Sequence, residues 1–256
     1  MKNGCLGLDP VDTVIEEILK GLRSGGRADM KMKEMLRCVW EHRGEDTLLW
    51  AVDHPGAFAR GADLAEAVEK LPRDLRDWSE WTGWEVPEFC GVEIVGEKAG
   101  DLNVADADSD VLMDAERTPL TWEEYARLRD MALRSAERFL ALYRSVPDPD
   151  CSENPVRQTF YGAVLRTARE MYGHTKNVNA YYFGEIGVEA DNEGDILQCR
   201  RRGFEALERQ ADFLENRVFE GSWEEDWTLR KLLRRFIWHD RIHARAMVRM
   251  VKRTFK

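Results

Sequence analysis

The spacing of apolar residues changes once along the chain, and that change limits the fold more than any other feature. Beyond residue 119 the apolar positions recur in steps of three and four. Tyr125, Leu128, Ala132, Ser135, Phe139, Leu142 and Val146 make one such seam, and Leu197, Phe204, Leu207, Ala211, Leu214 and Val218 make a second. This is the period of helices that bury one face. A third seam runs Leu229, Leu232, Phe236, His239, His243, Met247 and Met250, in a helix expected to start near Trp227 and Thr228. A fourth helix begins at "TARE", where Thr167 and Glu170 have the spacing of a capping box, and continues through Met171, His174, Val178 and Tyr181. Four such helices joined by loops predict an all-α four-helix bundle over 119–256. "VRQTFYGAVLR", ahead of the capping box, reads equally as an extra helical turn or a short extended piece.

Before residue 100 the pattern is shorter. "MLRCVWEH" and "DTLLWAVD" are apolar runs flanking the turn cluster "RGED", which predicts a hairpin. "HPGAFARGAD" reads as a loop. Helical spacing at Leu64, Ala67, Val68, Leu71, Leu75 and Trp78 follows, with Pro72 expected to kink or break the helix, and "EFCGVEIVGEK" reads as a third strand. The fold class expected is therefore α+β: a small strand-strand-helix-strand domain over 30–104 and then the bundle. Residues 1–29 form an extension with a marginal helix and a Gly-rich joint. Residues 105–118, acidic and poor in large apolar side chains, read as a linker.

The formal charge of −10 argues against nucleic-acid partners and anionic membrane surfaces. No apolar run reaches the roughly 18 residues that span a bilayer, and the opening residues lack a signal peptide's apolar core, so a cytoplasmic protein is expected. Five scattered cysteines without a C-x-x-C spacing suggest buried free thiols rather than disulfides or a zinc ribbon.

Three of the five histidines fall on predicted inward faces. His239 and His243 stand four residues apart, so both rings can face one point, and His174 on another helix can complete a set of three. Imidazole nitrogen suits zinc, nickel, iron or manganese, and three neutral rings leave a coordination position for water or substrate. The competing reading is packed histidines satisfied by carboxylates or carbonyls. "HDRIH" is a poor zincin motif, because Asp240 stands where that chemistry needs Glu. Asp240 points about 100 degrees away from His239 around the helix, as a surface charge or an interhelix pair would. Asn177 and Tyr181 share the face of His174 and are candidates to hydrogen-bond a ligand or line a substrate pocket. His42 and His54 read as solvated strand-edge and loop residues. Trp78, Trp81 and Trp84 form either an interface patch or internal packing. No Ser-His-Asp set, phosphate loop or Cys-His pair stands out, and no catalytic residue is assigned.

At "RTAREMYGHTKNVNAYYFGEIG" and "WTLRKLLRRFIWHDRIHARAM" the chain resembles the DinB-like family of metal-binding four-helix bundles, over about residues 118–254. The resemblance implies that His174, His239 and His243 are ligands of a divalent metal such as zinc or nickel. It also implies thiol-dependent S-transferase or hydrolase chemistry on a small electrophilic molecule, with a low-molecular-weight thiol as cosubstrate. A homodimer through helix faces is compatible with it. "LLWAVDHPGAFARGADLAEAVEKLPRDLRDW" is more weakly similar to HicB-like antitoxin domains. The alternative function is a non-catalytic metal- or ligand-binding module whose first domain docks a protein partner.

Overall fold

The computed structural model describes residues 34–100, 109–159 and 162–256. The extension expected over 1–29 lies outside the described residues. Strands β1 (Glu34–Arg43) and β2 (Asp46–Ala51) form the expected hairpin, with Arg43 opposite Asp46 across a two-residue turn. Gly44 takes φ 58°, the left-handed backbone that such a turn requires. The expected loop after it contains a further strand, β3 (Phe58–Gly61), antiparallel to β2. Helix α1 (Leu64–Thr82) then leads to β4 (Phe89–Ala99), which returns parallel to β1, so the sheet order is β3-β2-β1-β4. The chain is thus of mixed α+β class.

Helix α1 runs through Pro72 without a break. Asp63 caps its first turn by accepting from the Glu66 amide, and Gly83 ends it in the left-handed conformation. Burial of Ala67, Leu71, Leu75 and Trp78 against Leu36, Cys38, Leu49, Ala51 and Ala59 holds the helix on one face of the sheet. The alternate residues of the strands, Val39, Leu48, Trp50 and Phe58, point to the other face and are covered as well. That double covering is why "TLLWA" is almost continuously apolar.

Four further helices follow: α2 (Trp122–Arg144), α3 (Ala168–Glu185), α4 (Ile196–Leu207) and α5 (Leu229–Thr254). Each N-terminus carries a side-chain cap, from Thr121, Thr167, Asp195 and Thr228, and the first three are full capping boxes. Helix α2 packs on α5, α4 and α3, and α3 packs on α5 and α4. Helix α4 approaches α3 so closely at Gly203 that a Cβ there would fall 2.1 Å from the Phe183 ring. No helix among the described residues is long and apolar enough to cross a membrane.

Two further expectations change. The helix expected over 196–218 stops at Leu207, and a 3-10 turn at Phe213–Glu215 follows. Asn216, in left-handed conformation, fixes the departure: its side chain donates to the carbonyls of Glu116 and Thr118 and accepts from the Arg230 amide. Of the two readings left open ahead of the capping box, the extended one holds, with Gln158–Thr159 antiparallel to Gly162–Ala163. Of the linker expected over 105–118, residues 105–108 lie outside the described residues, and 109–118 are packed on the fold. Val111 and Met113 pack with Trp50, Phe58 and Trp238, and the carbonyls of Ser109, Asp110 and Val111 accept from Arg235, Lys231 and Arg234.

Helix α5 joins the sheet to the other helices. On its sheet side Trp238 meets Trp50 edge-on at 5.2 Å between ring centres, and Arg241 donates to Asp74 of α1 and to the Gly56 carbonyl. Asp74 also accepts from the Phe58 amide and from Arg245, tying β3, α1 and α5 together. A Cβ on Gly56 would lie 2.8 Å from the Ile237 side chain, which keeps that turn pressed on the helix.

Candidate metal centre

Helices α3 and α5 run in opposite directions, since His174 meets His239 and His243 while Tyr182, two turns later, meets Phe236. The arrangement brings the three histidines together at their Nε2 atoms. Those of His174 and His239 are 3.1 Å apart, and those of His243 and His239 are 3.2 Å apart. One potential ligand nitrogen from each ring lies within 4.8 Å of the other two. Nitrogens bound to one ion at about 2.1 Å lie about 3.0–3.4 Å from one another in octahedral or tetrahedral geometry. Two edges of the triangle already match that spacing, and the third is within 4.8 Å.

The rings differ in exposure. His239 is 7% exposed, His243 is half-buried, and His174 is exposed. The buried line of α3 runs through Met171, Thr175, Asn179 and Tyr182, which leaves His174 at the edge of the interface and not in its middle, as the seam implied. Removal from water pushes each imidazole's pKa below its ordinary value. For His243 burial, with the neighbouring His174 adding to it, brings the value down to about 3. His239 is held well below the usual range by burial first and by His243 and His174 next.

All three rings are therefore neutral near pH 7, which is the ligand form. Their mutual hydrogen bonding is incomplete. A neutral imidazole has one donor and one acceptor nitrogen, yet His239 Nε2 faces two other rings while its buried Nδ1 has no partner. A cation at the shared point would engage all three lone pairs at once, so the donor set fits a divalent transition metal.

Behind His239, Asp240 is fully buried and forms a two-pronged ion pair with Arg200 of α4 at 2.6 and 3.1 Å. Arg200 also lies over the Phe236 ring at 4.0 Å. The interhelix pair is thus the correct reading of Asp240. Arg200 carried a signal of its own, because a charge between Leu197 and Phe204 interrupts an apolar seam.

Asn177 and Tyr181 lie with His174 on the exposed side of α3. Asn177 is exposed and its carbonyl accepts from Asn192, and Tyr181 is 39% exposed and leans toward Trp227. The aromatic neighbour of His239 is Tyr182, at 6.0 Å between ring centres. His54 is buried edge-on against Trp78 instead of solvated, and His42 stacks on Trp40 and bonds to Glu97. Of the three tryptophans, Trp78 is core and Trp81 donates to the buried Ser135, whereas Trp84, beyond the end of α1, is 38% exposed with Arg127 over its ring. Comparison with family models, curated proteins and solved structures yields no match to this chain.

Proposed function

We propose that His174, His239 and His243 hold one divalent transition metal, zinc or nickel by preference. On this reading α2 to α5 form a four-helix bundle of DinB-like type that acts as a thiol-dependent S-transferase or a hydrolase on a small electrophilic molecule. The observation that carries the proposal is the meeting of three neutral Nε2 atoms from two helices. The burial of His239 against the exposure of His174 supports an open centre, because a substrate can approach from the His174 side. When bound, such a metal supplies Lewis-acid activation of a thiol or water and polarises the electrophile.

The chain's own residues do the rest. Arg200 fixes Asp240 and so fixes the turn of α5 that carries His239. Tyr182 and Phe236 wall the buried side and exclude water from it. The reading is tested by a panel of low-molecular-weight thiols and electrophiles, assayed with zinc- or nickel-loaded and metal-depleted protein. Turnover that needs the metal and is lost in His239→Ala supports the enzyme. Metal binding with no turnover above that of free metal favours the alternative, a binding module.

A further inference from the structure

Strand β4 has one residue more at its start than β1 can pair. Phe89 lies opposite Glu34, yet the next residue of β1, Met35, lies opposite Gly91, so Cys90 is left over as a bulge. An extra residue in a strand breaks the alternation of faces and re-aims its side chain. Here the thiol is turned to Met35, and Cys90 Sγ donates to Met35 Sδ at 3.6 Å. Gly91, across the ladder from Met35, has no side chain to stand in the way.

The two sulfurs lie outside the cores. Leu36 and Val92, the next pair along, pack into the core under α1, whereas Met35 is 37% exposed and Cys90 is exposed and in no disulfide. Cysteine and methionine are among the residues that proteins most often bury, as Cys38 and Cys199 are buried here. Burial of apolar surface therefore does not account for this pair.

The chemistry of its donor atoms does. Thiolate and thioether are soft ligands suited to Cu(I), whereas zinc takes thiolate, imidazole and carboxylate. Metal–sulfur bonds of about 2.3 Å to sulfurs 3.6 Å apart place an ion about 1.4 Å off the line between them, at a sulfur–metal–sulfur angle of roughly 100 degrees. The sulfurs need not part to take it. An angle so far from linear leaves the ion a further coordination position, and both residues are open to solvent.

We propose that Cys90 and Met35 form a surface site for a soft monovalent metal ion, Cu(I), completed by a donor from solution. Binding releases the thiol proton of Cys90 to solvent, and neither the metal nor the sulfurs change oxidation state. The site stands apart from the histidine centre and does not depend on it: the sulfur pair selects a soft ion, and the imidazoles suit a divalent one.

The test is anaerobic titration of Cu(I) in competition with bicinchoninate, read from the loss of the coloured copper complex. The parent protein carries His239→Ala, Cys5→Ser and Cys151→Ser, so that neither the imidazoles nor the thiols of Cys5 and Cys151 compete. It should take up about one Cu(I) per chain, and adding Cys90→Ser should abolish the uptake. Adding Met35→Leu, which keeps an apolar side chain and removes the sulfur, should weaken binding at least tenfold with the circular dichroism unchanged. Equal affinity with and without Met35→Leu would reduce the site to a lone surface thiol and overturn the proposal, as would a parent that takes no copper from bicinchoninate. A measurement on the parent without these further substitutions decides independently of how they fold. Produced with selenomethionine and loaded with Cu(I), it should show one sulfur and one selenium neighbour in copper X-ray absorption, and a copper shell without selenium overturns the proposal.

Discussion

Arg200 and Asp240 face each other with both side chains wholly out of solvent, one residue along the helix from His239. Their placement couples the position of the imidazole to a pair of charges that neither water nor salt can reach. Removing one partner leaves an unpaired buried charge, a change worth about 3–5 kcal/mol of stability. Asp240→Ala and Arg200→Ala should each unfold at correspondingly lower urea, whereas Arg200→Met with Asp240→Leu should recover most of the loss. Single variants as stable as wild type would show that the pair does not hold α4 to α5.

Acid should weaken the metal-free protein through the same cluster. The ordinary imidazole pKa of 6.5 applies to the unfolded chain, whereas His243 in the folded protein takes a proton only near 3. Between those values the unfolded state binds more protons, so stability falls as pH drops from about 6.5 toward 3, and the group contributes no pH dependence above that window. Thermal melts across pH 4–8 check the sign. His243→Gln should flatten part of the slope, and a wild-type melting temperature that rises on acidification through this window would contradict it.

Gly203 tests how closely α3 and α4 approach. Gly203→Ala gains about 1 kcal/mol of helix propensity. The new methyl, however, meets the Phe183 ring at 2.1 Å, and overpacking of this kind costs about 1–3 kcal/mol. Net destabilisation in urea is expected, and a stabilised variant would show that the two helices have room to spare.

The seam from Leu229 to Met250 and the capping box at Thr167 and Glu170 could be read directly, because apolar period and cap spacing are local properties. Strand β3 could not: it is four residues long, and its Ala, Arg and Gly carry no strand pattern. The segment 109–118 looked like a linker because its few apolar residues are separated by acids, yet Val111 and Met113 are bound by a surface assembled from Trp50, Phe58 and Trp238, which lie far away in sequence. At the site, His239 and His243 followed from spacing alone. Asn177 and Tyr181 share the exposed side of α3 with His174, and the rotation of that helix, which periodicity does not give, sets all three at the edge of the interface. The buried line of α3 passes through Thr175, Asn179 and Tyr182, one residue round from His174. Arg200 was passed over because arginine ordinarily faces solvent, although a charge between Leu197 and Phe204 interrupts the seam.

The most direct test of the account is metal stoichiometry. Wild-type protein and His239→Ala are depleted with chelator, dialysed against zinc and against nickel, and measured by elemental analysis. Wild type should bind about one ion per chain, as a single three-imidazole centre implies. His239→Ala, lacking the ring that touches both of the others, should bind none above background while remaining folded. Equal occupancy in the two proteins, or no metal in the folded wild type, would contradict the centre.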